Sequence, residues 1–170
     1  MQEGKVCCFS GHRILRHSEQ AIRAALDRQV AHMAQNGYTC FISGAASGFD
    51  LLAAEAVLDY KRSRGGVVLK LFVPYADFFD GWSADARRRR LIALESVDVE
   101  IVCREASRYA PLARDRRMVE ESDACVCYMI SGSTSGGTYY TVALARQKGI
   151  DIVNLAPLLN AVSKQKNNRF

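Results

Sequence analysis

The sequence predicts an α/β fold, a Rossmann-like three-layer α/β/α sandwich with a mostly parallel sheet. Six short apolar runs rich in Val, Ile, Phe and Cys lack strict alternation, which is typical of strands covered on both faces. Segments with helical spacing separate these runs nearly throughout the chain. Because parallel strands require long right-handed crossovers, this alternation favours one sheet with helices on both faces.

The predicted strands and helices follow one another in a regular order. The apolar runs are KVCCFS (5–10), YTCFIS (38–43), VVLKLFVPY (67–75), VDVEIVC (97–103), DACVCYMIS (123–131) and IDIVNLA (150–156). Between them, apolar residues recur at a spacing of three or four, which predicts helices with one face on the sheet. Examples are Ile22, Leu26, Val30 and Met33, then Leu51, Ala54 and Leu58, and later Val142 and Ala145.

Length and composition bound the class of protein. A chain of 170 residues suits one domain, predicted here to span residues 1–160 with a flexible basic tail at 161–170. Hydrophobic residues make up 49% of the chain, which indicates a globular protein rather than a disordered one. No apolar run approaches the roughly 20 residues that span a bilayer, and the first residues lack the pattern of a signal peptide. We therefore expect a cytoplasmic protein that does not contact a membrane.

Six cysteines raise the question of a metal site or a disulfide framework. Cys7 and Cys8 point to opposite faces of one strand, whereas Cys125 and Cys127 share one face of another. Neither pair has the C-x2-4-C spacing of a zinc site, and the three histidines are scattered. The pattern predicts cysteines that act as small buried hydrophobic side chains, with no metal and no cofactor.

The net charge of +5 indicates an anionic partner only if the basic residues form a patch. Part of the excess lies in the tail, and part in Arg87 to Arg90, which wrap around a predicted helix instead of forming one stripe. Aromatic residues for base stacking are not interleaved with this run. The pattern favours a solvated helix surface and disfavours nucleic acid as a partner.

The loops after the strands are the places to search for a site, because ligands of open α/β sheets bind outside the carboxyl ends of the strands. The first strand runs into Ser10-Gly11-His12-Arg13. Gly11 permits a tight turn with positive φ and a close backbone approach to a ligand, while His12 and Arg13 offer donors to a phosphate or carboxylate. An ordinary surface loop has the same pattern.

The second strand ends in SGAASGFDLLAAEA (43–56), in which Gly44 and Gly48 flank three small residues. A helix is predicted to begin near Phe49, where free N–H groups and the helix dipole favour an anion. Asp50 is either an N-cap, which would compete with phosphate, or an acceptor for ribose hydroxyls. Glu55 lies in an apolar stretch, so it is either exposed on the helix face or functional.

The fifth strand leads into SGSTSGGTYYTVALARQKG (131–149). Gly132, Gly136 and Gly137 and four hydroxyl residues offer N–H and O–H donors just where Thr138 starts a helix. The stretch is not a P-loop, which needs Gly-Lys-Ser/Thr, and not the G-x-G-x-x-G motif, which follows a first strand. A flexible loop is the alternative. Because the three loops end neighbouring strands on one edge, we expect them to form one phosphate-binding cleft.

Aromatic residues lie close to two of these loops. They either stack on a base in the cleft or pack in the core, and core packing is the commoner outcome for any one of them. They are Tyr75, Phe78, Phe79 and Trp82 after the third strand and Tyr139 and Tyr140 after the fifth.

Four segments together resemble the YpsA-like branch of the SMF/DprA-LOG (SLOG) superfamily. They are CFSGHR, ISGAASGFDLLAAE, LARDRRMVEESDACVCYM and SGGTYYTVALA, and the resemblance covers roughly residues 5–156. It implies a Rossmann-like fold whose glycine-rich strand ends bind nucleotides or nucleotide-derived ligands. For this branch it also implies a cytoplasmic bacterial protein, linked in some relatives to cell division or stress.

The LOG relatives are phosphoribohydrolases, and the resemblance to them is incomplete. It places Arg114 on the arginine of their active site, with Met118 and Ser122-Asp123 in step. Thr141 stands where these relatives carry a glutamate. A hydroxyl cannot stabilise an oxocarbenium-like state by charge, so the resemblance implies phosphate binding in this stretch without cleavage by Thr141.

Three functions remain open at this point. The first is a protein that binds or senses a nucleotide or a nucleotide-derived ligand such as ADP-ribose or NAD. The second is a nucleoside-monophosphate phosphoribohydrolase, with Glu55 or Asp50 as the catalytic carboxylate and Arg114 positioning the phosphate. The third is single-stranded nucleic-acid binding, as in the DprA relatives, and the resemblance also implies a homodimer. The expected ligand-binding residues are Gly11, His12, Arg13, Gly44, Gly48, Gly136, Gly137, Thr138 and Thr141.

Overall fold

The described chain forms one six-stranded sheet in which all neighbouring strands are parallel. The computed structural model describes residues 4–79 and 83–167. Its strands are β1 (Lys5–Gly11), β2 (Tyr38–Ser43), β3 (Val68–Val73), β4 (Asp98–Ile101), β5 (Ala124–Tyr128) and β6 (Asp151–Asn154). Each falls within, or one residue beyond, a predicted apolar run. Their order across the sheet is β4-β3-β2-β1-β5-β6.

Helices connect the strands and cover both faces of the sheet. They are α1 (Glu19–Gln35), α2 (Phe49–Arg64), α3 (Ser83–Glu95), α4 (Ala110–Glu120), α5 (Gly137–Lys148) and α6 (Leu155–Asn167), with a 3₁₀ helix at Ala76–Phe79. Side chains of α1, α2 and α6 pack in the larger core on one face, and those of α4 and α5 pack in the smaller core on the other. The predicted Rossmann-like three-layer sandwich is confirmed.

The four strand cysteines on β1 and β5 lie as the sequence predicts. Cys7 belongs to the larger core, whereas Cys8, Cys125 and Cys127 belong to the smaller one. All six cysteines of the chain are free thiols, and these four are buried. The cysteines on β1 and β5 therefore act as small packing residues between the sheet and its helices.

The direction of the chain across the sheet reverses between β1 and β5. From β1 the chain moves outward through β2, β3 and β4, and it then returns to place β5 on the other side of β1. Gly11 at the end of β1 pairs with Tyr128 at the end of β5. Ligands bind at such a switch point because the loops after the two strands diverge and leave a crevice.

Tyr128 fixes the loop that follows β1. Its ring stacks on Phe49 with ring centroids 5.7 Å apart. Its hydroxyl accepts hydrogen bonds from the backbone N–H groups of Arg16 and His17, and it lies 2.7 Å from His17 Nδ1. His17 Nε2 lies 2.8 Å from Asn160 Oδ1, so α6 also contacts this loop.

Some sequence predictions fall at the limits of the described residues. The predicted flexible tail at 161–170 begins inside α6, and its flexibility stays a prediction. Phe78 is buried and meets Tyr75 edge to face, which agrees with core packing. Trp82 and the side chain of Phe79 lie outside the described residues. Within the described ranges, no helix is both long and apolar enough to cross a membrane.

The expected homodimer also stays a prediction. β4 and β6 form the two edges of the sheet. Beside β4 lie three exposed apolar side chains, Leu94, Val97 and Ile101.

Arg89 corrects the prediction that Arg87 to Arg90 form a solvated surface. Its side chain is fully buried, its Nε donates to the carbonyl of Ala45 at 2.7 Å, and its Nη2 donates to Ser47 Oγ at 2.9 Å. Successive helix residues are about 100° apart, so a run of four must turn one side chain toward the protein. Arg89 thereby holds the β2–α2 loop, in which Ala45 has a positive φ of 52°.

Replacement of this buried cation should destabilise the fold. We expect Arg89→Leu to lower the free energy of unfolding by about 2–4 kcal/mol, because a buried carbonyl and hydroxyl lose a charged donor. Urea denaturation measures the change. Arg87→Leu, at an exposed position of the same helix, is the matched control and should change stability by less than about 0.5 kcal/mol. Equal small effects of both changes would contradict the structural role of Arg89.

Candidate ligand-binding cleft

A cavity of about 640 Å³ opens at the carboxyl edge of the sheet, beside the ends of β1 and β5. Its volume lies within the range of small-molecule sites. The loops that follow β1 and β5 both contribute to its walls, and the segment that follows β2 contributes Ala46 and Asp50. Among the residues predicted from the sequence, those that line it are Gly11, His12, Arg13, Asp50, Arg114, Gly136, Gly137 and Thr138.

The N-terminus of α5 forms one wall of this cleft. Its N-cap is Gly136, which has a φ of 93° that favours glycine and makes no side-chain cap. The first helical bond runs from Tyr140 N to the carbonyl of Gly136 at 3.0 Å. The N–H groups of Gly137, Thr138 and Tyr139 therefore precede the helical ladder, at the end where the helix dipole favours an anion.

Asp50 places a buried carboxyl group in the lining of the same cleft. Its side chain is not an N-cap, because the N-cap of α2 is Gly48 and has no side-chain cap. Instead Asp50 Oδ1 accepts a hydrogen bond from Gly11 N at 3.1 Å. Burial is the main cause that raises the pKa of Asp50 to about 7, with Arg114 opposing the shift and the nearby charge of Asp115 contributing to it. The carboxyl therefore keeps its proton to a higher pH than an ordinary aspartate does.

Arg114 and Asp115 connect α4 with the β2–α2 loop beneath the cleft. Arg114 Nη1 donates to the carbonyl of Gly44 at 2.6 Å, and its Nε donates to Asp115 Oδ1 at 2.7 Å. Both side chains are buried and both line the cleft. Burial raises the pKa of Asp115, against the lowering effect of Arg114 and of the Thr141 hydroxyl. The cleft therefore carries two carboxylates beside a buried cation.

His12 and Arg13 extend from the end of β1 between two cavities. His12 Nε2 accepts a hydrogen bond from Ile130 N at 3.1 Å, which assigns the proton of the neutral ring to Nδ1. Burial, with a smaller effect of Arg16, lowers the pKa of His12, so the ring is neutral at pH 7. A second cavity of about 500 Å³ shares His12 and Arg13 with the first and is closed by Ile130–Ser133.

Three glycines allow close approaches that a side chain would prevent. Gly11 does not have the predicted positive φ; its Cβ would lie 2.4 Å from the Phe49 side chain. A Cβ on Gly44 would lie 2.2 Å from Arg114 Nη1, and one on Gly48 would lie 2.4 Å from a backbone oxygen. Gly44 and Gly48 do not line the cleft, and their close approaches hold together the loops beside it.

Thr141 is also a supporting residue. It is fully buried, does not line the cleft, and its Oγ1 donates to the carbonyl of Gly137 at 2.9 Å. Together with its interaction with Asp115, this contact ties the first turn of α5 to α4.

The structure places Glu55 away from the cleft. Five residues separate it from Asp50, which rotates it by about 140° around the helix. Arg88 donates to both carboxylate oxygens of Glu55. Glu55 lines a separate cavity with Arg23 and Asp59. Of the two carboxylates predicted from the sequence, Asp50 lines this cleft and Glu55 does not.

Several residues that line the cleft were not among the predicted ligand-binding residues. Asp115 follows Arg114 directly, and its place on a helix beginning at the carboxyl edge of the sheet could have identified it. The others are Ser10, Arg108, Pro111, Leu112 and Ala143, with Tyr139 and Tyr140 lining the cleft rather than the core. In the part of the chain that the structure describes, no three His, Cys, Asp or Glu side chains are grouped as a metal site.

Comparison with known proteins identifies the family. The family model YpsA, described as the YspA SLOG family, matches residues 12–154. The chain therefore belongs to this family, and the resemblance found in its motifs is confirmed. No curated protein matches the sequence.

Two solved structures are similar in fold. DNA processing protein A from Helicobacter pylori, described by its single-stranded DNA binding mode, is 17% identical with a TM-score of 0.65. The alignment covers 88% of this chain and 64% of that chain, so this chain spans less than two thirds of its length. The structure of TM1055 is 14% identical with a TM-score of 0.56, over 87% of this chain and 72% of that chain. At such identities the similarity establishes the fold alone.

The raised pKa of Asp50 predicts a specific dependence of stability on pH. The unfolded carboxyl has a pKa of about 3.9, so between that value and about 7 the native state holds a proton that the unfolded state releases. The contribution of Asp50 to the free energy of unfolding is therefore largest below about pH 4, and it is lost as the pH rises to about 7. Asp50→Asn removes this titration. As the pH rises from about 5 to about 8, the free energy of unfolding of the variant should therefore increase by about 2–3 kcal/mol relative to that of the wild type.

Urea denaturation of both proteins at the two pH values measures this difference. The amide of the variant keeps an oxygen that can accept from Gly11 N, which limits the change to the ionisation. Stability curves of the two proteins that run parallel with pH would contradict the assignment.

Proposed function

We propose that this SLOG-family protein binds or senses a nucleotide-derived ligand of the ADP-ribose or NAD type in the cleft between β1 and β5. The observation that carries the proposal is the uncapped N-terminus of α5, which forms a wall of a cavity at the switch point of the sheet. Free N–H groups, the helix dipole and an arginine on the facing loop are the chemistry that holds phosphate.

The two cavities support a ligand with two lobes. They have volumes of about 640 and 500 Å³ and meet at His12 and Arg13. A diphosphate placed at this junction would direct one nucleoside lobe into each cavity. Arg13 then neutralises phosphate charge, and the neutral His12 ring offers an N–H donor from Nδ1.

The carboxylates favour a ligand with sugar hydroxyls rather than a bare phosphate. Asp50 and Asp115 would repel a fully charged anion, but each offers acceptor oxygens to hydroxyl groups. A nucleotide presents both groups, with phosphate toward α5 and Arg13 and ribose toward the carboxylates.

Arg13 provides the direct test of phosphate binding. We expect ADP-ribose to bind the wild type, and Arg13→Ala to weaken this binding about 10- to 100-fold through loss of a charge-assisted hydrogen bond. Isothermal titration calorimetry measures both constants. Arg28→Ala removes the same charge from an exposed position on α1 and should leave the affinity within about twofold. Equal losses in both variants would indicate only a general effect of net charge.

N-glycosidic hydrolysis is the second candidate function, and Asp50 is the observation that favours it. A carboxyl with a pKa near 7 on the wall of a ligand cleft suits a general acid or base, because its proton is exchanged at working pH. Asp115, paired with Arg114, would stabilise positive charge on the sugar. Arg114 would then position the phosphate indirectly, because its hydrogen bonds hold the part of the cleft formed by α4 and the β2–α2 loop.

Free base released from nucleoside monophosphates measures this second function by chromatography. This second function predicts turnover by the wild type that is abolished in Asp50→Asn and retained in Glu55→Gln, whose carboxylate lines a different cavity. Turnover lost in Glu55→Gln but kept in Asp50→Asn would contradict the placement of the carboxylates. Binding without any turnover leaves the sensing role.

The expectation that nucleic acid is a disfavoured partner gains no support from the comparisons, since one similar structure belongs to a single-stranded DNA-binding protein. An oligonucleotide therefore belongs in the same titration. Binding that weakens steeply with salt would favour single-stranded DNA over a small ligand.

A further inference from the structure

The part of the cleft between α4 and α5 has a chemistry of its own. We call it the α4–α5 wall. It is formed by the N-terminal parts of two packed helices and by Arg108, two residues before α4, and it consists of Arg108, Pro111, Leu112, Tyr139, Tyr140 and Ala143. Among the described residues, two carboxylates line the cleft, Asp50 and Asp115. Neither of them belongs to this wall.

The two tyrosines of the wall differ in how they are held. Tyr140 is fixed, because its hydroxyl accepts a hydrogen bond from Arg116 Nη2 at 3.1 Å. Tyr139 is 39% exposed, and within the described residues no hydrogen bond engages its hydroxyl. An aromatic side chain left open on the wall of a cavity offers its ring for stacking.

Arg108 adds a planar cation at the mouth of the same wall. Its guanidinium lies 4.6 Å from the ring centroid of Tyr109, next to the start of α4. Flat heteroaromatic groups stack on both tyrosine rings and guanidinium planes.

We propose that the α4–α5 wall is a nucleobase subsite, with Tyr139 as its stacking surface. The proposal rests on the function proposed above, since it orients the same ligand. The backbone N–H of Tyr139 belongs to the phosphate-binding turn and its side chain to the wall. One turn of α5 therefore holds the phosphate and the base of a single nucleotide, with the ribose between them.

A pair of ligands that differ only in the base tests the subsite. AMP and ribose 5-phosphate are titrated by calorimetry into the wild type, Tyr139→Ala and Tyr139→Phe. We expect Tyr139→Ala to weaken AMP binding about tenfold, the loss of one base–aromatic stack, and to change ribose 5-phosphate binding less than about twofold. Tyr139→Phe keeps the ring and should retain the affinity for AMP.

The possible outcomes separate this proposal from the one on which it rests. AMP binding that is unchanged in Tyr139→Ala, or that falls equally with ribose 5-phosphate binding, overturns the subsite and leaves the proposed function intact. A wild type that binds neither AMP nor ADP-ribose overturns both. Because Tyr139 is partly exposed, circular dichroism of the variants should match that of the wild type.

Discussion

The buried guanidinium of Arg114 is the interaction on which the cleft depends. It joins the β2–α2 loop to α4 through the Gly44 carbonyl and the Asp115 carboxylate, beneath the space where a ligand would lie. A buried cation is costly unless every donor finds a partner, and this requirement explains why Gly44 has no side chain and why Asp115 follows Arg114. The positive charge of Arg114 also opposes the rise in the pKa of Asp50 that burial causes. Arg114 therefore affects the ionisation of both carboxyl groups in the cleft.

Around this cation the cleft combines groups of opposite preference. The N-terminus of α5 and Arg13 favour an anion, while Asp50 and Asp115 favour hydroxyl groups or a developing positive charge. A site for inorganic phosphate alone would have no use for the two acids. The balance instead suits a ligand that carries phosphate and sugar together, and it is compatible with binding alone or with cleavage of that ligand.

Much of this arrangement follows from local sequence, and the rest does not. The apolar runs predict the strands, and the glycine loops predict the three strand ends that meet, because both patterns are local in the chain. Arg89 could not be recognised as buried, since its partners lie more than forty residues away. The sequence could not place Glu55 or Asp115 for a similar reason: helix phase relative to the sheet, rather than residue type, decides which carboxylate faces the cleft.

The most direct test of the account is a map of backbone amide chemical shifts on addition of ADP-ribose. We predict that the largest changes fall on Gly137 to Tyr139 and on Gly11 to Arg13, where N–H groups and loop backbone border the cleft. Amides of α1 and of the exposed edge at β4 should keep their positions. Changes concentrated on that edge, or no changes at saturating ligand, would contradict the central claim that the switch point of the sheet is a nucleotide site.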